Sequence, residues 1–323
     1  MNYSTIYYSI IKIIKKGYNI MNINIFIILS VIMKVCLINP PSYFINPPWL
    51  NNTDFVHLGL GYIASVLESS GYETNIIECD IQNIDILNAA LYVQMGNYKF
   101  VGLSIYSYNY LSAIKIANEI KKYSKDIFIF AGGYYPTIHY EQLLSLTKSI
   151  DFCIIGDGEL TIRDLITTIE QHQSIEHIRG LAYRKHNEII ITKLREIIND
   201  IDIYPFPNRV YISKKNGASI ISSRGCYESC IFCSLPQYMY QCNGNILRLR
   251  SAKNIIAELK YLVINKHVKR FSFVDNNLIA VRENGKQWIS DFVDEIRQEC
   301  LQISFNTYAR PKDIVEYQKN YEI

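Results

Sequence analysis

Five short apolar runs recur between residues 34 and 155, at Lys34–Asn39, Thr74–Cys79, Phe100–Ile105, Ile127–Ala131 and Phe152–Ile155. Stretches with helical spacing separate them, at Leu58–Ser69, Ile84–Met95, Tyr110–Tyr123 and Tyr140–Thr147, and another at Leu160–Gln171 follows the last run. A strand that is apolar along its whole length must be covered on both faces, and helices between parallel strands provide that cover. The alternation predicts an α/β fold: a doubly wound, flavodoxin-like parallel sheet whose ligands bind at the carboxyl ends of the strands. Asn39-Pro40-Pro41 stops the first strand, Gly132-Gly133 follows the fourth, and Gly156-Asp157-Gly158-Glu159 follows the fifth. Glycines there let a bulky ligand approach the backbone, although tight strand-to-helix turns use them too.

Gly180–Arg184 and Ile189–Thr192 flank Lys185-His186-Asn187-Glu188 and read as a hairpin closing this first domain, residues 33–195. Pro205 and Pro207 make residues 196–216 a short, stiff connector. Beyond it the order is β-α-β-α-β: a strand at Ala218–Ser223, helices at Ala252–Asn265 and Glu283–Arg297, and strands at Val268–Val274 and Gln302–Thr307. That is the start of a (β/α) barrel, whose chemistry sits at the C-terminal strand ends. A full barrel takes about 200–250 residues. Residues 217–323 are therefore expected to form only part of one, with a second chain as a candidate to complete it.

The strand at Ala218–Ser223 runs into Gly225-Cys226-Tyr227-Glu228-Ser229-Cys230-Ile231-Phe232-Cys233. Three thiolates spaced Cys-x3-Cys-x2-Cys suit three irons of a cubane cluster and leave the fourth iron without a protein ligand. Structural zinc closes with four ligands, which would require Cys242 as the fourth. Three cysteines do not pair among themselves as disulfides. Cys36 and Cys153 sit inside apolar runs, where a thiol acts as a small hydrophobe, and the cysteine usage overall is that of a reducing cytosol.

In this context the triplet, with Phe232 before its last cysteine, resembles the radical S-adenosylmethionine (radical SAM) superfamily. The first domain resembles the cobalamin-binding domain that precedes the catalytic domain in one class of that superfamily. The matching residues are Leu37–Pro41, Leu58–Ala64, Val101–Ser104, Gly132–Thr137 and Gly156–Glu159. The resemblance implies a [4Fe–4S] cluster on Cys226, Cys230 and Cys233, with S-adenosylmethionine on the open iron near Phe232. It implies a corrin over the strand ends near Ser104, Gly132, Gly133 and Gly156. Asp275 and Asn276, ending the second barrel strand, match the place of residues that position the cofactor's amino group; the common pattern has two acids, and Asn276 departs from it. Asp275-Asn276-Asn277 also reads as a simple polar turn. Arg250 and Arg310 are further candidates for neutralising carboxylates.

Asp54, His57 and Gly59 have the residue types of the Asp-x-His-x2-Gly loop that ligates cobalt in many cobalamin proteins, but not its spacing. His57 reads instead as a helix-start residue. The implied activity is methyl transfer to an unactivated carbon through a 5′-deoxyadenosyl radical. Cyclisation or rearrangement, or a non-catalytic relic that binds only corrinoid, are the alternatives. The expected partners are an unidentified small-molecule or peptide substrate and a flavodoxin- or ferredoxin-type reductant.

A formal net charge of +3 gives no basis for nucleic acid or an anionic membrane as partner. The apolar run Ile23–Met33 is shorter than the roughly 20 residues a spanning helix needs. Residues 1–32 are expected to be an extension outside the fold, and the location cytoplasmic. The 26 tyrosines are spread through core-like and loop-like segments alike and read as background composition.

Overall fold

All five expected strands form in the structure, a computed structural model that describes residues 33–43, 57–209, 217–242, 247–278 and 283–315. The expected extension at 1–32 and part of the connector, 210–216, lie outside the described residues. The strands are β1 (Lys34–Asn39), β2 (Glu73–Glu78), β3 (Phe100–Ser104), β4 (Phe128–Gly132) and β5 (Phe152–Ile154). They pair in parallel in the order β2-β1-β3-β4-β5. That is the flavodoxin-like order, with its topological switch between β1 and β3. The hairpin β6 (Leu181–Lys185) and β7 (Glu188–Ile191) does more than close the domain: it extends the sheet antiparallel beyond β5 to seven strands.

Five helices cover the sheet: α1 (Leu58–Ser69), α2 (Ile86–Met95), α3 (Tyr110–Tyr123), α4 (Tyr134–Leu146) and α5 (Glu159–Glu170). Successive strand residues point to opposite faces. Cys36, Ile38, Val101, Leu103 and Ile129 enter one core with Ala89, Ile116 and Leu143 of α2, α3 and α4. Val35, Leu37, Phe100 and Phe130 enter the other with Leu60, Leu67, Ile162 and Leu165 of α1 and α5. Each fully buried Phe or Leu contributes about 1.5–3 kcal/mol relative to exposure. Cys36 and Cys153 lie in the first core, as expected. Helix α4 begins six residues earlier than the sequence suggests, because Pro136 falls in its first turn, where a missing N–H is tolerated.

The connector runs along α1. Asn208 N–H donates to Gly61 O at 3.0 Å, and Ser65 Oγ donates to Phe206 O at 2.8 Å. A Cβ on Gly61 would come within 2.5 Å of Asn208 O, so this approach requires glycine. Ile201 and Tyr204 pack with Leu58, Tyr62 and Val66 of α1 and with Ile221 and Val274, forming an apolar seam between the two halves.

In the second half the single strand expected at Ala218–Ser223 is broken in two. β8 (Gly217–Ile220) joins a three-stranded parallel sheet in the order β12-β11-β8, with β11 at Arg270–Phe273 and β12 at Ser304–Thr307. β9 (Ser223–Gly225) leaves that sheet and pairs antiparallel with β10 (Leu247–Leu249) as a separate ribbon. Ser222 marks the break: its carbonyl accepts from Arg250 N–H at 2.8 Å, and its N–H and hydroxyl donate to Asp275. α6 (Leu235–Cys242) follows the cysteine loop, while α7 (Ala252–Lys266) and α8 (Glu283–Gln298) pack on the three-stranded sheet through Ile255, Leu259, Trp288 and Phe292. The Ser251 side chain caps α7 by accepting from Asn254 N–H at 3.1 Å.

Candidate cofactor-binding site

The carboxyl ends of β1, β3, β4 and β5 face β9, α6 and the end of β11 across a cavity of about 820 Å³. Ser104, Gly132, Gly133 and Gly156 all line it from the first domain, and Asp275 and Asn276 line it from the second. Gly225, immediately before Cys226, is also on the wall. Residues far apart in sequence, singled out for two different cofactors, thus border one space.

The first-domain wall is largely backbone. A Cβ on Gly132 would meet only Ile154, at 3.9 Å. Gly156 has φ +81°, and a Cβ there would lie 3.1 Å from Cys242 Sγ. Cys242 is accordingly buried against the β5 loop, where burial pushes its thiol up to about 12. It packs beside Gly156, apart from the other three cysteines.

At the β1–β2 side, Glu78 is 2% exposed and accepts from Asn39 Nδ2 at 2.9 Å and from His57 N–H at 3.1 Å. Burial pushes its carboxyl up to about 7. His57 stands just before α1, as expected, and lines the cavity. Its Nε2 lies 3.0 Å from Tyr106 Oη and 3.1 Å from Ser104 Oγ, while Nδ1 is buried without a partner. Burial lowers its pKa to about 4, so the ring is neutral near pH 7.

The tyrosines are more than background composition here. Tyr106, Tyr134 and Tyr238 line the cavity as neighbours, with ring centroids 5.9 Å apart for Tyr106–Tyr134 and 4.6 Å for Tyr134–Tyr238. Burial raises all three phenols, Tyr134 to about 12, so they stay protonated and act as hydrogen-bonding apolar walls. The sequence masks them because tyrosine is common throughout the chain.

The cysteine loop differs in kind. Cys226 is half-buried, and Cys230 and Cys233 are exposed. Cys233 N–H donates to Cys230 O at 3.0 Å, and Leu235 N–H points at Cys233 Sγ from 3.5 Å. Among the described residues, no three Cys, His, Asp or Glu side chains are gathered as a metal site. The donor set suits iron; closing three thiols around one centre is work done by the metal–sulfur bonds. Phe232 is 90% exposed.

Asp275 is committed to its own chain, accepting from Ser222 N–H at 3.0 Å, Ser222 Oγ at 2.9 Å and Ser223 Oγ. It holds the β8–β9 break. Asn276 is exposed, and its Nδ2 donates to Gly225 O at 3.2 Å, bracing the residue before Cys226. Arg250 pairs with Glu258 at 2.6 Å and Arg310 with Asp313 at 2.7 Å and with Glu228, so both arginines neutralise carboxylates of this chain. Two further residues, Arg224 and Arg248, line the cavity and pair directly with Asp157 and Glu159, which line it too. Their only signal in the sequence is the position of Arg224, two residues before Cys226.

Residues 52–166 match the B12-binding domain family. The fold is shared with a cobalamin-dependent S-adenosylmethionine radical enzyme, OxsB, at a TM-score of 0.71 and 22% identity, covering 87% of this chain and 40% of that one. It is shared also with the radical S-adenosylmethionine methyltransferase TsrM of Kitasatospora setae, at 0.69 and 16%, covering 88% and 57%. This chain carries a B12-binding domain and shares its fold with radical S-adenosylmethionine enzymes. An uncharacterized methyltransferase of Pyrococcus horikoshii is 26% identical over 286 residues, 86% of this chain and 60% of the relative. The anaerobic magnesium-protoporphyrin IX monomethyl ester cyclase of Synechocystis is 24% identical over 293 residues, 88% and 56%. The chain thus spans 60% and 56% of the length of these two relatives. No helix among the described residues is long and apolar enough to cross a membrane.

Proposed function

We propose that this chain is the cofactor-holding part of a cobalamin-dependent radical SAM enzyme that transfers a methyl group to an unactivated carbon. The observation that carries the reading is the shared cavity. The strand ends expected to face a corrin and the residues flanking the cysteine loop border the same space of about 820 Å³. Open backbone at Gly132 and the orphaned Nδ1 of His57 fit a large ligand with polar edges. Ser104, Gly132, Gly133 and Gly156 would hold cobalamin; Cys226, Cys230 and Cys233 would hold the [4Fe–4S] cluster; S-adenosylmethionine would lie near Phe232 and Asn276. When bound, the cluster and S-adenosylmethionine supply a carbon-centred radical, and cobalamin supplies the methyl group.

The chain's own residues supply position and exclusion. Asp275 fixes the Ser222–Ser223 turn from which the cysteine loop departs, so its role is to place the loop rather than to bind an ammonium group. Asn276 braces Gly225 and presents the exposed amide at that strand end. The protonated tyrosine wall keeps water from one side of the cavity while offering hydroxyl groups to polar ligand edges. A flavodoxin- or ferredoxin-type reductant would supply the electron that such a cluster requires. Ring closure is the second reading, favoured by the likeness to the Synechocystis cyclase.

Anaerobic reconstitution with iron and sulfide, followed by EPR with and without S-adenosylmethionine and titration with hydroxocobalamin, tests the reading. A reduced-cluster signal that shifts on adding S-adenosylmethionine, together with stoichiometric corrinoid binding, is expected. A cluster indifferent to S-adenosylmethionine, or no corrinoid binding, would sink it.

A further inference from the structure

The ribbon β9–β10 belongs to neither larger sheet, yet it carries the cysteine loop. On it Arg224 and Arg248 are directly cross-strand partners. Both reach the loop that follows β5. Arg224 Nη2 donates to Glu159 Oε1 at 2.6 Å, and its Nη1 lies 3.3 Å from Asp157 Oδ2. Arg248 Nη1 donates to the same Asp157 oxygen at 2.6 Å and to Ile198 O at 3.2 Å. The Arg224 guanidinium is also flanked by the rings of Tyr62 and Tyr204, 5.0 and 5.1 Å from their centroids.

These four charged side chains are all at least 84% buried, two of each sign. Buried charges this well paired are expensive to separate and tolerate few alternative geometries. The two arginines outweigh the effect of burial and hold the Asp157 carboxyl below its usual range, so that carboxylate stays charged at neutral pH. Each end abuts a different part of the cavity: Asp157 follows Gly156, and Arg224 precedes Gly225 and Cys226. Asp275 and Arg310 tie the cysteine segment to its own three-stranded sheet, but neither ties it to the first domain.

The geometry points to Arg224, backed by Arg248, as the positioning residue that sets the cysteine loop in register with the strand ends of the first domain. Asp157 and Glu159 are its anchor. The spacing between the cluster's ligands and the corrin-facing backbone is then fixed by an ion network rather than by the chain connection. The inference rests on the reading that the loop takes the cluster and the cavity takes the corrin.

The test uses the full chain with Glu159→Gln, Arg224→Gln and Arg224→Lys. Without any cofactor, amide hydrogen exchange over residues 223–233 should rise at least about tenfold in Glu159→Gln and Arg224→Gln, while β8, β11 and the seven-stranded sheet are unchanged. Arg224→Lys, which keeps the charge but not the forked geometry, should fall between them and the wild type. The decisive variant is Glu159→Gln, because it touches the loop only through Arg224. With the cluster and cob(II)alamin both present, the cluster should speed relaxation of the cobalt EPR signal in wild type, and the two Gln variants should weaken that effect. Unchanged exchange in Glu159→Gln overturns the proposal, as does faster exchange spread evenly over the molecule, which marks a merely structural ion network. A wild type that binds no corrinoid defeats the functional reading, and the exchange result still decides whether the β5 loop anchors the cysteine loop.

Discussion

The first-domain wall of the cavity is made of strand ends fixed from both sides by packed cores, so Ser104, Gly132 and Gly156 have their places before anything binds. The opposite wall hangs from a two-stranded ribbon and a loop whose Cys230 and Cys233 face solvent. The difference separates two ways of making a site. Backbone at the end of a buried parallel sheet is preorganised by the hydrophobic core behind it. A thiolate triplet has no such core and takes its geometry from the metal and from a few polar braces.

The largest effect expected from this contrast is in metal content. Replacing Cys226, Cys230 or Cys233 with Ala should reduce reconstituted iron to background, while hydroxocobalamin affinity changes by less than about twofold, since the sites are built independently. Iron analysis and visible titration on the same samples check this. Parallel loss of corrinoid binding would show that the two walls are not separable.

Next comes pH, where two groups of the preorganised wall act in opposite directions. Glu78 is raised to about 7 from an ordinary 4.5, so its contribution is present below pH 4.5 and is lost as pH rises through 7. His57 is lowered to about 4 from 6.5, so its contribution is present above pH 6.5 and is lost as pH falls through 4. Each is worth on the order of 3 kcal/mol across its window, and the two oppose one another between pH 4.5 and 6.5. Denaturant titrations across pH should show a shallow wild-type profile. Glu78→Gln should uncover stability that falls toward acid, and His57→Gln stability that falls toward neutral pH. Flat profiles in both variants would mean that neither group is buried as described.

A smaller change tests the glycine wall alone. Gly156→Ala places a Cβ 3.1 Å from Cys242 Sγ at a φ of +81° and should cost about 1–3 kcal/mol. It should also weaken hydroxocobalamin binding while leaving iron loading intact. Full corrinoid affinity in this variant would place the ligand away from the β5 end. The smallest effect is expected at the edge of the second sheet. Phe305 on β12 is 47% exposed, but its ring meets those of Phe273 and Phe292 edge-on, and Phe305→Thr should cost about 1 kcal/mol. By contrast, Phe271→Ala on the adjacent strand should cost about 3–5 kcal/mol, because Phe271 is buried in that sheet's core.

Much of the first domain was legible because period and punctuation report burial directly. β1, α1 and α3 fall at the residues their apolar patterns indicate. The second half was legible in order but not in detail. A run of apolar and small residues at Ala218–Ser223 reads as one strand, and nothing local signals that Asp275, more than fifty positions away, will take hold of Ser222 and split it. Arg224 and Arg248 were missed as a pair for the same reason: their partners, Asp157 and Glu159, lie more than sixty positions away in the sequence. Arg250 and Arg310 read as candidates for neutralising carboxylates, and the structure supplies those carboxylates from the same chain, Glu258 and Asp313.

By itself the sequence determined the β/α alternation, the glycine strand ends and the spacing of three thiols, because each depends on side-chain period or backbone freedom within a few residues. Only the tertiary structure decided that the two sets of residues border one cavity, that tyrosines form part of its wall, and that four buried charges join the cysteine loop to the β5 end. Those are contacts between segments distant in sequence, and they exist only once the sheets have packed and brought opposite charges out of water together.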